Sequence, residues 1–340
     1  MSHVSSMALP NTSQVPPDLR ARIESALAGT LGNRRVRRIE WRPGPHRSSY
    51  WIDEIDLELE DGTVLALVAK ATNWDSMCPE GRSAKPRFLY DADRELTTYE
   101  SILSTLDINA ARYYGSMNAA PGDRRLLLER SEGVPLWQLD KYDAWRSAAS
   151  WLARMHARAL VATIHTSIAG RHLVRYDEGF YRCWMRRALE FSCDRREALT
   201  ALAKGHTRVV EWLLAQPIGF IHGDFYSSNI LVERNGGLLA VRPIDWEMAG
   251  LGPHLMDLAS LLSGLWTDEE RSDIAQTYHQ TLASEGVATP TPETYLKTLD
   301  CCLIQLAVQN LGWSASWTPP PEHAHDWLGE ALRVCAKWHL

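Results

Sequence analysis

The sequence lacks the marks of several broad protein classes. There is no excess of basic charge: 36 lysines and arginines stand against 42 aspartates and glutamates, a net charge of −6. Nucleic-acid binders usually carry a basic patch, and anionic membranes attract polybasic runs; with neither present, neither partner is expected. No window holds the roughly eighteen consecutive apolar residues that a membrane span needs. Met1–Pro17 is polar, with Pro, Ser and Asn, and has no apolar stretch of signal-peptide length; it reads as a disordered leader. The six cysteines (Cys78, Cys183, Cys193, Cys301, Cys302 and Cys335) form no C-x-x-C pair, and two of them are adjacent. That suits neither a zinc knuckle nor a disulfide framework, so reduced packing residues and a cytoplasmic location are expected. No G-x-x-x-x-G-K-[ST] occurs, which excludes a P-loop ATPase on motif grounds.

What is present is enough hydrophobic residue, 45% of 340, for more than one compact body. Leu19, Ile23, Leu27 and Leu31 recur at helical spacing. Val36–Trp41, Tyr50–Leu59 and Thr63–Lys70 read as strands, with turn signals at Arg42–Pro45 and Asp61-Gly62. Ser76–Pro86 reads as a loop, Asp91–Leu106 as a helix and Arg125–Glu129 as a short strand. Beyond a polar connector the chain turns helical over Tyr142–Leu160, Gly179–Phe191, Arg195–Ala215 and from Pro253 onward. Strand-like pieces interrupt it at Gly219–His222, Ile230–Glu233 and Leu238–Ile244, the last two joined by a turn at Asn235-Gly236-Gly237. A β-rich first part and a helix-rich second part predict an α+β protein with two lobes.

The chemistry concentrates in His222-Gly223-Asp224-Phe225-Tyr226-Ser227-Ser228-Asn229 and in Ile244-Asp245-Trp246-Glu247. A hairpin separates the two stretches and can bring Asn229 beside Asp245. An amide oxygen and a carboxylate are hard ligands that suit Mg²⁺, which typically takes few protein oxygens. Asp224 is left to face an incoming hydroxyl and accept its proton, the division of labour found in protein-kinase sites. In the first part, Lys70 ends a strand as the kinase strand lysine does, and Glu95 opens the following helix; such a pair would aim an ammonium at nucleotide phosphates. Asp91, Asp93 and Glu100 compete for the place of Glu95. The turn Pro43–Ser49 sits where a phosphate-covering loop would lie, though with one glycine it is no G-x-G-x-x-G.

These residues resemble the aminoglycoside phosphotransferase and choline-kinase-like family, whose signature H-G-D-x-x-x-x-N is followed by I-D-W-E or I-D-F. Gly252-Pro253-His254-Leu255-Met256-Asp257-Leu258-Ala259 is similar to the family's G-x-x-x-x-D-L-A element, and Trp151–His156 resembles its helix ending in L-x-x-L-H. The resemblance implies a bilobal protein-kinase-like fold with ATP between the lobes and Mg²⁺ on Asn229 and Asp245. It implies Asp224 as catalytic base, Lys70 and Glu95 as phosphate anchors, and adenine contacts near Glu129–Ser131, with Glu129 and Ser131 as binding residues. The expected boundaries are 18–130 for a nucleotide-binding N-lobe and 131–340 for a catalytic and acceptor-binding C-lobe. Phe225–Ser228 departs from the family's usual His followed by Pro or Gly, which changes the wall beside the acceptor.

A lone H-G-D is common by chance; the joint pattern with Asn229, Asp245 and Gly252–Ala259 carries the functional reading. His222 and Asp257 read as structural supports of the loop, Asp257 as an acid at a helix start of the kind that caps backbone N–H groups. The 14 tryptophans read as packing, with Trp266 or Trp313 as candidates to line an acceptor cleft. The expected activity is ATP- and Mg²⁺-dependent transfer of a phosphoryl group to a hydroxyl of a small molecule. An aminoglycoside or another antibiotic comes first; choline, ethanolamine, homoserine and sugars are the alternatives. A silent nucleotide-binding pseudokinase is the rival of another class, opposed by the presence of Lys70, Asp224, Asn229 and Asp245.

Overall fold

The computed structural model describes residues 15–45, 49–139, 142–159, 164, 169–191, 195–236, 238–264, 266–315 and 325–340. The chain divides into two compact units: residues up to Arg82 with Ala111–Ser131, and Ser83–Ala110 with Glu132–Leu340. Most of the leader expected at Met1–Pro17, the centre of the Pro43–Ser49 turn and Gly237 lie outside the described residues.

The first unit is a five-stranded antiparallel sheet. Its strands are β1 (Val36–Pro43), β2 (Ile52–Leu59), β3 (Val64–Ala71), β4 (Tyr113–Ala120) and β5 (Asp123–Glu129), in the order β1-β2-β3-β5-β4. Alternation sends Ile55, Leu57 and Leu59 of β2 into the core, where Leu67, Ala69 and Leu127 meet them. The expected N-terminal helix is present but broken at Leu27 into α1 (Pro17–Ala26) and α2 (Ala28–Leu31). Leu19, Ile23, Leu27 and Leu31 nonetheless join the same apolar cluster. Two elements escaped the pattern reading. β4 is irregular, with register shifts at both ends, so no clean alternation marks it. Pro79–Ala84, inside the expected loop, is a short helix α3 opened by a proline, a residue favoured at the first helical position.

The second unit starts with the short helix α4 (Arg94–Ser101) and continues into helices and two three-stranded sheets. One sheet places β6 (Val134–Pro135) beside the hairpin of β9 (Ile230–Asn235) and β10 (Leu238–Pro243). The other joins β7 (Val174–Arg175), β11 (Gly250–Gly252) and β8 (Gly219–Ile221). The helices are α5 (Tyr142–Arg158), α6 (Glu178–Phe191), α7 (Arg196–Leu214), α8 (Leu255–Leu261), α9 (Asp268–Ser284), α10 (Pro292–Leu311) and α11 (Trp327–Trp338). The acidic run Asp268-Glu269-Glu270 opens α9 through a capping box between Thr267 and Glu270. The tryptophans pack pairwise: Trp266 meets Trp145 edge-on, and Trp313 stacks on Trp184. Among the described residues no helix is long and apolar enough to cross a membrane. The described cysteines are free thiols, and Cys301 and Cys302 are buried.

Candidate active site

The loop between β8 and β9 carries the H-G-D-x-x-x-x-N residues, and its backbone is fixed from below. Asp257, in the first turn of α8, accepts the N–H of His222 at 2.7 Å on one oxygen and the N–H of Gly223 at 2.8 Å on the other. No side-chain cap holds the start of α8, and the Asp257 carboxylate binds the loop's backbone instead. Asp257 is itself held by the buried His156, whose Nε2 lies 3.2 Å from it, while His156 Nδ1 meets the Tyr278 hydroxyl at 2.9 Å. Burial pushes the His156 pKa down to about 3. A neutral ring then donates from Nε2 to Asp257 and accepts from Tyr278 at Nδ1. Burial raises the Asp257 pKa, opposed by the backbone N–H bonds it accepts from His222 and Gly223.

His222 is wholly buried. Its Nδ1 accepts the Asp224 N–H at 3.3 Å, which leaves Nε2–H to donate to the Ile244 carbonyl at 3.0 Å. One imidazole thus ties the Asp224 loop to the end of β10. Gly223 has φ +80°, and a Cβ there would lie 2.1 Å from the Met248 carbonyl oxygen. The middle residue of the motif must therefore be glycine on two counts.

Asn229 donates from Nδ2 to the Asp224 carboxylate at 2.9 Å and to the Asp224 carbonyl at 3.0 Å. With the amide nitrogen committed, Oδ1 is the atom that can serve as a metal ligand. The hairpin does what its length suggests: Pro243 pairs with Ile230, and the Ile244 N–H donates to the Asn229 carbonyl at 2.9 Å. Asp245 follows in a left-handed conformation, φ 66° and ψ 63°, rare for a residue with a Cβ. Such strain persists where surrounding structure enforces it and is common at functional sites. Desolvation, then the Asp245 and Glu247 charges, raise the Asp224 pKa to about 7; Asn229 and Lys85 oppose the shift. Converging carboxylates of this kind fit a divalent cation, whose charge relieves their repulsion.

Three contacts grip the turn after Asp245. Glu95 accepts the Trp246 N–H at 3.2 Å, Arg94 donates to the Glu247 carbonyl at 2.8 Å, and Lys85 pairs with the Glu247 carboxylate at 2.5 Å. Of the residues expected at the site, Asp224, Asn229, Asp245, His222, Asp257 and Glu95 thus come together in the second unit. Lys70, Glu129 and Ser131 belong to the first. There Lys70 is buried on β3, its Nζ 5.9 Å from the Tyr50 ring centre. Glu129 ends the neighbouring β5 and accepts the Arg112 N–H at 3.2 Å. Ser131 lies just beyond β5. Sequence reasoning missed Lys85, Arg94 and the role of His156. Lys85 is a lone lysine in a Ser- and Pro-containing stretch with no motif to mark it. His156 stood in a recognised helix, and its helical burial was the available signal.

A model of the phosphotransferase enzyme family matches residues 86–295, more than half of the chain. The chain belongs to the phosphotransferase enzyme family. It is a small-molecule kinase with a hydroxyl acceptor. No curated protein matches it. Solved structures similar to it include a microcompartment-associated aminopropanol kinase, 16% identical, covering 91% of this chain and 94% of that one with a TM-score of 0.57. An amicoumacin kinase in complex with AMP-PNP, Ca²⁺ and Ami is 13% identical, with coverage of 87% and 89% and a TM-score of 0.57. The macrolide 2'-phosphotransferase MphH from Brachybacterium faecium is 17% identical, with coverage of 90% and 99% and a TM-score of 0.53. These likenesses show the protein-kinase-like fold.

Proposed function

We propose that this family member moves the γ-phosphoryl group of ATP, with Mg²⁺, to a hydroxyl of a small molecule, an aminoglycoside or another antibiotic first among them. The observation that carries the reading is the Asp224–Asn229 hydrogen bond on a loop anchored at both ends, with Asp245 in electrostatic reach. In this mechanism Asp224 accepts the acceptor's hydroxyl proton as the hydroxyl oxygen bonds to the γ-phosphorus. The bond from that phosphorus to the bridging oxygen breaks, and ADP leaves. Asn229 Oδ1 and the Asp245 carboxylate would hold the cation, which when bound neutralises phosphate charge. Asp257 and His222 keep Asp224 at a fixed height and orientation, which is where positioning enters the rate.

The nucleotide-side roles of Lys70, Glu95, Glu129 and Ser131 rest on the family resemblance, as do the boundaries 18–130 and 131–340 and a cytoplasmic location. Choline, ethanolamine, homoserine and sugars remain the alternative acceptors. The test is ADP release by purified protein with ATP and Mg²⁺ across a panel of aminoglycosides, macrolides, amino alcohols, homoserine and sugars. The expected result is acceptor-dependent ADP release with at least one compound. Background release with every acceptor, unchanged in Asp224→Ala, would favour the pseudokinase instead.

A further inference from the structure

Lys85 is a charged side chain in the second unit that the proposed mechanism does not use. Its side chain is 3% exposed and its ammonium lies 2.5 Å from a carboxylate oxygen of Glu247, itself 16% exposed. Burying an ammonium is costly unless it is paired, so such a contact fixes both partners. Glu247 stands two residues beyond Asp245, in the turn Trp246–Met248, which Arg94 and Glu95 also hold. Its charge reaches Asp224, as do the charges of Asp245 and Lys85. Three carboxylates and one ammonium therefore share this locality. They leave two negative charges, the charge of one divalent cation.

We propose that Lys85 is a positioning residue that occupies Glu247 and keeps it from ligating the divalent cation, so that the metal rests on Asn229 and Asp245. The inference rests on the phosphotransferase reading above, because it concerns the same cation site. Glu247 carries hard oxygen donors and lies next to the site; what withholds them is the ammonium already bound. Removing that ammonium frees a carboxylate to join the metal or to attract it more strongly, and either way divalent affinity rises. An arginine keeps the positive charge and should keep Glu247 engaged.

The experiment is direct binding of Mn²⁺ to the full chain, followed by EPR of free Mn²⁺ without acceptor or turnover. Wild type should bind Mn²⁺, and Lys85→Met should bind it roughly tenfold more tightly, the scale on which neighbours of a metal ligand act. Lys85→Arg should stay within about threefold of wild type. The double variant Lys85→Met with Glu247→Gln removes both charges of a buried pair, a change proteins often tolerate, and should cancel the gain. It also serves if Lys85→Met alone unfolds. Equal affinity of Lys85→Met and wild type, a gain that survives in the double variant, or a double variant still tenfold tighter than wild type would overturn the inference while leaving the phosphotransferase reading intact. A wild type that binds no Mn²⁺ would also overturn the inference, while the phosphotransferase reading is judged by ADP release across the acceptor panel.

Discussion

On the first unit's sheet a cluster of arginine–acid pairs lies partly exposed, whereas the second unit buries a polar network beneath the loop proposed to be catalytic. On the sheet, Arg42 and Arg130 both pair with Glu54 and Asp56. Desolvation opposes ionisation of Asp56, but the hydrogen bonds and charges of Arg42 and Arg130 hold its pKa below the usual carboxylate range. Each acid has two partners, solvent is near, and the loss of one contact is shared. Under the loop, His156, Asp257 and His222 are all buried and hydrogen-bonded in series. Polar contacts at a surface are individually weak, while an orphaned buried partner bears its full desolvation cost. The same chemistry is thus shared among partners on the sheet and costly to break beneath the loop.

Substitutions can break or sharpen that contrast. The largest effect is expected at the proposed base: Asp224→Ala should lower kcat by about 10²–10⁴, the range of a general base, with the melting temperature little changed. A steady-state assay with the acceptor found in the panel checks this. Asp245→Asn should abolish Mg²⁺-dependent ATP binding while circular dichroism stays native; unchanged affinity in calorimetry would remove Asp245 from the cation site. Asp257→Asn replaces one acceptor with an NH₂ group facing a backbone N–H. Its expected cost is about 3 kcal/mol in urea unfolding, far more than any single sheet charge.

Acid should distinguish the two units next. His156, His206 and His254 have pKa values lowered by burial, His156 to about 3. The unfolded chain then binds more protons than the folded one below pH about 6.5. Stability is whole above that pH and declines as pH falls through it, by up to about 1.4 kcal/mol per unit for each neutral ring. Denaturant midpoints at pH 7.5 and 5.5 report the slope, and equal midpoints would contradict the buried neutral network. The smallest effect is expected at the sheet surface. Arg37 pairs with Glu58 but is 68% exposed, so Arg37→Ala should change stability by less than about 0.5 kcal/mol.

Legibility in the sequence followed the range of the interactions. Asp224 and Asn229 are five residues apart, and a short hairpin brings Asn229 to Ile244, so local spacing carried that part of the site. The meander of β1 to β3 was readable because alternation and the Asp61-Gly62 turn are local signals. β4 was not, because its register slips at both ends and its small residues do not alternate cleanly. Lys85 finds Glu247 across 162 positions, and His156 finds Asp257 across 101. Nothing near either residue in the chain announces its partner. Asp257 was legible as a structural acid beneath the loop from its place in Gly252–Ala259; the N–H groups it holds, those of His222 and Gly223, lay 35 and 34 positions away.

The most direct measurement of the central claim is ³¹P NMR of wild type with ATP, Mg²⁺ and the acceptor that drives ADP release. The account predicts a new phosphomonoester signal on the acceptor, growing in step with ADP, and at least about a hundredfold more slowly in Asp224→Ala. Release of inorganic phosphate with no phosphorylated acceptor would contradict it.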